Sequence, residues 1–203
     1  TCHQKAEKEY LQGLHSKMIM KEMERAANCY DCHGKHNILP HKNPKSMIHI
    51  SNIDKTCTRC HSDMAFVKEH GLGEAIPKEQ FMKSVHGKTG EVTCTSCHGS
   101  HDLRSLTDPK SSIFRSNIPH TCGGCHPEIT KQFDESIHGV LAARGRSDSP
   151  TCTTCHGFHG IKAKLDPDSP VNERRIAKTT CPQCHAAERI TKAYNLTTST
   201  VQT

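Results

Sequence analysis

The sequence predicts a mainly α-helical protein with extensive coil, little or no sheet and a repeated internal unit. Three observations predict this fold class. The pentapeptide Cys-x-x-Cys-His occurs six times in 203 residues. Only 33% of the residues are hydrophobic and 4% are aromatic, and the mean hydropathy is −0.68, which is poor material for an ordinary core. Helix-favouring stretches alternate with turn-forming loops, and no segment shows the alternating pattern of a strand.

Every complete Cys-x-x-Cys is followed directly by His, the pattern at which haem c is attached. Zinc ribbons and thioredoxin-like dithiols make no such demand on the next residue, and a disulfide framework expects an even number of cysteines where this chain has 13. We therefore expect six complete haem c sites and a partial seventh at Cys2, whose partner thiol is expected just before residue 1. The expected haem-attaching cysteines are Cys2, Cys29, Cys32, Cys57, Cys60, Cys94, Cys97, Cys122, Cys125, Cys152, Cys155, Cys181 and Cys184.

Seven haems would supply the apolar interior that the side chains lack. They would also cross-link the chain and so lower the entropy of its unfolded state, as disulfides are thought to do. The fold class is therefore predicted more fully as a haem-cored multihaem protein. The chain without haem is expected to remain largely unfolded.

Local patterns predict where the helices lie. Residues 4 to 27 are rich in Glu, Lys, Met, Leu and Ala, which favour helix. Pro127 suits the first turn of a helix that ends near Arg144, with Gly145 as its C-cap. Pro77 is expected to begin a shorter helix. The remaining expectations are a last helix over residues 186–196 and turn-forming loops over residues 107–111 and 165–170.

The motifs alternate between two types, which define a repeat. First-type motifs continue as Cys-x-x-Cys-His-Gly-x-His, and second-type motifs lack the added histidine; the former begin at Cys29, Cys94 and Cys152, the latter at Cys57, Cys122 and Cys181. First and second types are separated by 28, 28 and 29 residues, so each pair forms one dihaem unit of a quasi-linear array. The predicted divisions of one continuous domain are residues 1–28 (remnant of a preceding unit plus a helix), 29–61 (unit 1), 62–126 (unit 2) and 127–203 (unit 3 and a tail).

Each iron is expected to take one imidazole from its own motif and a second axial ligand that sets its chemistry. The motif ligands are His3, His33, His61, His98, His126, His156 and His185. Two repeat positions supply candidates for the second ligand: a helix histidine five residues after an aromatic, and the last histidine of each first-type motif. The latter cannot reach the far face of its own haem and should serve a neighbour, whereas the helix histidines serve either the preceding or the following motif. These candidates are His15, His86, His138, His36, His101 and His159, with His70 added from an insertion in unit 2.

Other residues are weaker candidates for the second axial ligand. The histidines that do not repeat (His41, His49 and His120) are expected not to be ligands. Methionine is the alternative axial ligand, although the methionines do not follow the repeat. The haem at Cys181 is the exceptional site, because no histidine follows His185.

Charge and hydropathy restrict the partners and the compartment. The formal charge is +6, but each ferric haem with ionised propionates adds about −1, so a seven-haem protein carries about −1 and has no case for nucleic-acid binding. The chain contains no run of 18 apolar residues, so no transmembrane helix is predicted. Haem c attachment in bacteria and archaea follows export, which predicts a periplasmic or extracellular protein; the chain itself contains no signal peptide.

The pattern resembles the multihaem c-type cytochromes built from paired Cys-x-x-Cys-His motifs, which include pentahaem periplasmic electron donors and decahaem outer-membrane conduits. The stretches that carry the resemblance are Phe81–Gly87 with Cys94–His101, and Phe133–Gly139 with Cys152–His159. The resemblance implies bis-histidine ligation and closely spaced, stacked haems. It also implies redox partner proteins or other multihaem cytochromes, in respiratory or extracellular electron transfer.

Two classes of function remain open at this point. The leading hypothesis is an electron carrier, with self-assembly into a filament or a place in a larger complex as variants of it. The alternative is a multihaem oxidoreductase of the nitrite, hydroxylamine or tetrathionate type, which would need one haem without two histidines. Against the enzyme, the chain has no Cys-x-x-Cys-Lys motif, and Tyr10, Tyr30 and Tyr194 lie in no evident catalytic context.

Overall fold

The computed structural model describes residues 3–76 and 78–192, in which helices alternate with turns and no strand is present. The mainly helical class with extensive coil is thereby confirmed for the described residues. The α-helices are α1 (Gln4–Gln12), α2 (Leu14–Met20), α3 (Cys29–His33), α4 (Ile53–His61), α5 (Met64–Glu69), α6 (Lys78–Lys83), α7 (Val85–Thr89), α8 (Cys94–His98), α9 (Ile118–Gly123), α10 (Pro127–Glu135), α11 (Ile137–Ala143) and α12 (Cys152–His156). Short 3₁₀ turns span Arg115–Asn117 and Cys181–Gln183, and a π turn spans Ile176–Thr180.

The two long predicted helices are each broken in the middle. The stretch from residue 4 ends its first helix at Gln12, restarts at Leu14 and stops at Met20 rather than at residue 27. The stretch from Pro127 breaks at Ser136, whose side chain caps the new helix by accepting a hydrogen bond from the Gly139 amide at 3.1 Å. Serine competes for backbone hydrogen bonds in this way and favours helix starts over helix interiors.

Other local expectations agree with the described residues. Gly145 follows the end of α11 with a positive φ of 78°, and residues 107–111 and 164–168 form turns and bends. The chain is helical from residue 187 to 192. The expected helix start at Pro77 and the expected helix end at residue 196 fall outside the described residues.

Each first-type motif is a five-residue helix with a capping box at its start. The residue before the first cysteine (Asn28, Thr93 or Thr151) is the N-cap, and its amide donates a hydrogen bond to the side chain of the residue before the second cysteine. This reciprocal cap satisfies two amides that a short helix would otherwise leave unpaired. The helix therefore holds two cysteines and the adjacent histidine in one fixed local geometry.

The glycine after each first-type motif turns the chain. Gly34, Gly99 and Gly157 have positive φ values of 84°, 79° and 75°, which residues with a Cβ rarely adopt. The backbone leaves the helix sharply at this point. The histidine two residues further on is thus carried away from its own motif.

Side chains supply almost no apolar core. Among the described residues, only Phe66, Val67 and Val171 are buried hydrophobics, with 5%, 3% and 9% exposure. Most of the other buried residues are small and polar, chiefly serines that close turns or cap helices. No helix in the described part of the chain is long and apolar enough to cross a membrane.

A chain produced without covalent haem attachment should not hold this fold. Three buried hydrophobic side chains cannot offset the conformational entropy of about 1–2 kcal/mol per ordered residue. Far-UV circular dichroism of the haem-free protein should show mostly coil, and the haem-loaded protein should show helix. A native-like helical spectrum without haem would contradict the expectation.

Gly139→Ala should destabilise the repeat more than an ordinary glycine substitution. A Cβ at Gly139 would overlap the backbone carbonyl of Phe133, where the two helices of the broken pair meet. Overpacking of this kind costs about 1–3 kcal/mol, and we expect a lower thermal midpoint for the haem-loaded protein. Gly124→Ala is the matched control, because its Cβ would lie 3.5 Å from the nearest atom, the Thr121 carbonyl oxygen. Equal effects of the two substitutions would refute this account.

Candidate functional site

Histidines that are far apart in the sequence face one another in five pairs. Their ring centroids lie 5.9–6.2 Å apart, and their planes are inclined by 15–42°. Every pair joins a motif histidine with a candidate second ligand. The pairs are His61 with His15, His33 with His101, His126 with His86, His98 with His159, and His185 with His138.

The pairs follow one rule for each type of motif. A second-type motif faces the helix histidine that precedes its own unit's first-type motif, as His126 faces His86. A first-type motif faces the last histidine of the next first-type motif along the chain, as His33 faces His101. Each helix histidine therefore completes the second-type site of the unit whose first-type motif follows it, His15 doing so for unit 1 from the preceding segment, and the added histidines join one unit to the next.

A backbone contact holds each joint between units in place. The amide of Leu14, at the start of α2, donates to the carbonyl of Leu103 at 2.6 Å, beside the His33–His101 pair. In the next joint the amide of Val85 donates in the same way to the carbonyl of Ile161 at 2.9 Å. Because each carbonyl belongs to the residue two positions after the pairing histidine, this hydrogen bond sets the position of its ring.

Burial lowers the pKa of several of the facing imidazoles and so favours their neutral form. It lowers the pKa of His15 and of His61, and the charge that His61 would carry lowers the pKa of His15 further. Burial is again the main cause of the lowered pKa of His98, with His159 the next cause. A neutral imidazole offers a nitrogen lone pair, which is the form that binds a metal.

The motifs form one continuous row. Within a unit, the second thiol of the first-type motif lies near the first thiol of the second-type motif: burial and then the charge of Cys57 raise the pKa of Cys32, and burial and then Cys122 raise that of Cys97. The third unit repeats this with Cys155 and Cys181.

Between units, the first thiols meet. The interaction between the Cys57 and Cys94 thiols lowers the pKa of Cys57 and raises that of Cys94, whose thiol donates a hydrogen bond to the Asp54 carboxylate at 3.1 Å. The interaction with the Cys122 thiol likewise lowers the pKa of Cys152 to about 7. The twelve described cysteines all carry free thiols. Consecutive motifs in the sequence are therefore also neighbours in space, from Cys29 to Cys184.

The remaining candidate histidines face no second imidazole among the described residues. His156, in the last first-type motif, is exposed, and burial followed by the charge of His126 lowers its pKa. His36 is exposed, and His3 lies near enough to lower the pKa of His33. His70 packs edge-on against Phe66 at 4.4 Å, and its buried Nε2 has no hydrogen-bond partner. Cys2 lies outside the described residues.

Sequence reasoning did not find the contacts that position these rings. The carbonyls of Leu103 and Ile161 act through the backbone, which leaves no residue-type signal. The capping boxes had a readable signal, because Asn or Thr precedes each first-type motif and Asp, Ser or Thr precedes its second cysteine. Asp54, which accepts a hydrogen bond from the Cys94 amide at 3.0 Å across the boundary between units, had none.

Comparisons with family models, with curated proteins and with solved structures found no match to this chain.

Proposed function

We propose that this chain is a multihaem c-type cytochrome that passes electrons along a row of bis-histidine haems between redox partners outside the cytoplasm. The observation that carries the proposal is the set of five facing histidine pairs. Each pair contains the histidine of a Cys-x-x-Cys-His motif. Haem c, when bound, supplies an iron that takes up and releases one electron.

The spacing of the paired rings fits one metal ion between them. An imidazole nitrogen binds a transition metal at about 2 Å and lies about 1 Å from its ring centroid, so two rings on opposite sides of one ion have centroids about 6 Å apart. The five observed separations are 5.9–6.2 Å. Direct stacking or a direct hydrogen bond between the rings does not explain why one separation recurs in all five pairs.

The donor set fits a metal that brings its own equatorial ligands. No group of three His, Cys, Asp or Glu side chains that could hold a metal ion is present within residues 3–76 and 78–192. Two opposed imidazoles without a third protein ligand suit an iron already held by four porphyrin nitrogens. They do not suit tetrahedral zinc, which takes four ligands. The free thiols beside each motif histidine fit covalent attachment of the macrocycle.

The arrangement of the sites suits conduction along the chain. Neighbouring motifs lie near enough for their thiols to influence one another's pKa, from the first complete motif to the last. Two histidines at an iron leave no position for substrate, which favours electron exchange over catalysis at the five paired sites. The near-absence of an apolar core among the described residues fits a protein whose interior is formed by macrocycles.

Haem content gives the first test. Protein exported through a cytochrome maturation system should carry covalently bound haem at all six complete motifs. The alkaline pyridine haemochrome spectrum and the iron-to-chain ratio should both report at least six per chain. Iron near zero with stoichiometric zinc, or disulfides in place of thioethers by mass spectrometry, would refute the proposal.

His138→Ala should remove the second axial ligand of one haem iron and leave the other haems unchanged. Loss of the ring that faces His185 should convert one low-spin ferric signal into a high-spin signal in low-temperature electron paramagnetic resonance. Added imidazole should restore the low-spin form. His120→Ala is the control, since His120 is exposed and faces no other ring among the described residues. An unchanged spectrum for the His138 variant would contradict the pairing.

A further inference from the structure

A carboxylate of α1 contacts the second histidine of one pair. Oε2 of Glu9 lies 3.4 Å from Nδ1 of His101, the ring that faces His33. The other oxygen of Glu9 lies 4.0 Å from Nζ of Lys5, whose side chain is 92% exposed, so Lys5 is the weaker partner. In the part of the chain that the structure describes, His101 is the one facing histidine with a carboxylate oxygen within 4 Å of its ring nitrogens.

The joint between units 1 and 2 holds Glu9 beside this ring. The Leu14 amide donates to the carbonyl of Leu103, two residues beyond His101, at 2.6 Å. At the break between α1 and α2, a Cβ at Gly13 would lie 2.9 Å from the His101 carbonyl oxygen, so the two backbones are in direct contact. The end of α1 is therefore docked against the segment that carries the ring, and Glu9 lies about one helical turn before that end.

The contact assigns the proton on the His101 ring. An ionised carboxylate only accepts hydrogen bonds, so the ring nitrogen next to Glu9 is the protonated one. The lone pair then lies on Nε2, which is the nitrogen left to bind a metal. The angle between the ring planes of this pair, 15°, is the smallest of the five. A carboxylate in this position fixes the tautomer and the orientation of a metal-binding imidazole and raises its basicity.

The repeat places a glutamine where α1 has Glu9. Glu9 and Gln80 each stand directly before the aromatic residue of the repeat. Gln80 also lies at the next joint, because a Cβ at Gly160, the residue after His159, would be 2.8 Å from the Gln80 Cγ. An amide carries no net charge. The two joints therefore have the same kind of histidine pair but differ in whether a carboxylate contacts the second ring.

We infer that Glu9 lowers the reduction potential of the site formed by His33 and His101, and so favours electron movement from that site toward unit 2. The inference rests on the proposed function. A more basic axial imidazole stabilises ferric over ferrous iron, as does a nearby negative charge. Because the two side chains are 37% and 39% exposed, water weakens the direct effect of the charge. The contact with the ring is thus the main route of the effect.

The assignment gives the row of sites a direction. An electron that leaves the His33–His101 site oxidises ferrous iron there to ferric and reduces the iron of a later site by one electron. With a carboxylate at the first joint and an amide at the second, this step is favoured over its reverse. The direction then depends on one repeat position, Glu9 against Gln80, rather than on a change of axial ligand.

Two reciprocal substitutions in the full haem-loaded chain test the inference. Glu9→Gln gives the first joint the residue of the second, and Gln80→Glu does the reverse. In potentiometric titrations at one fixed pH, followed by low-temperature electron paramagnetic resonance, Glu9→Gln should raise the potential of one low-spin site. Gln80→Glu should lower the potential of a different site. The expected size is about a tenfold change in the ratio of ferric to ferrous iron, or about 59 mV for a one-electron couple.

A charge control and a spectroscopic readout separate tuning from other effects. Glu79→Gln removes an exposed carboxylate that contacts no facing histidine among the described residues, so it should leave every potential unchanged. The low-spin g values of the affected site should also change in the Glu9 variant, because a less basic imidazole weakens the ligand field at the iron. A purely structural role would instead produce high-spin iron or loss of haem.

Four outcomes would overturn the inference. Unchanged potentials in the Glu9 variant at full haem content would show that the carboxylate does not act on the site. Equal shifts in the Glu9 and Glu79 variants would reduce the effect to net charge. High-spin iron without a shifted low-spin site would make Glu9 a structural residue only. No shift with Gln80→Glu would remove the difference between the joints. Absence of covalently bound haem from the unsubstituted protein would instead refute the proposed function.

Discussion

The facing of imidazole rings across a gap of about 6 Å is the constraint on which this structure depends. Two rings held apart at this distance make few favourable contacts of their own, and burial lowers the pKa values of both rings in the His15–His61 and His98–His159 pairs. The backbone nevertheless maintains that distance five times, with different helices and loops on either side. This regularity is the observation on which the proposed function rests.

The elements around each pair divide the task of positioning it. Capping boxes stiffen the short motif helices, and the glycines that follow turn the chain away, so that the added histidine reaches the preceding unit. The helix that carries the second histidine of a pair is divided at a serine or a glycine. The backbone amide just after that break donates a hydrogen bond to a carbonyl of the next unit. Local hydrogen bonding thus performs the role that hydrophobic packing performs in most proteins of this length.

Two kinds of histidine pair give the repeat its direction. The helix histidines complete the second-type sites, whereas the added histidines bind each unit to the one before it. Each unit therefore needs its successor to complete its first site, as solenoid repeats need neighbours to cover their exposed faces.

The helical class and the positions of the turns followed from composition and from residue types whose effects are local. The helix breaks at Gly13 and Ser136 were not predicted, because helix propensity summed over a long window obscures a single cap or kink. The sequence suggests that the site at Cys181 lacks a second histidine, because none follows His185. The structure faces that histidine with His138, which lies upstream.

The sequence by itself determined the six Cys-x-x-Cys-His motifs, the alternation of two motif types and the set of candidate histidines, because short spacings depend only on neighbouring residues. Only the tertiary structure decided which histidine faces which. Each pair joins segments from different parts of the chain, and the pairing is set by backbone contacts such as Leu14 with Leu103. Those contacts involve amides and carbonyls that every residue carries, so no pattern of side chains announces them.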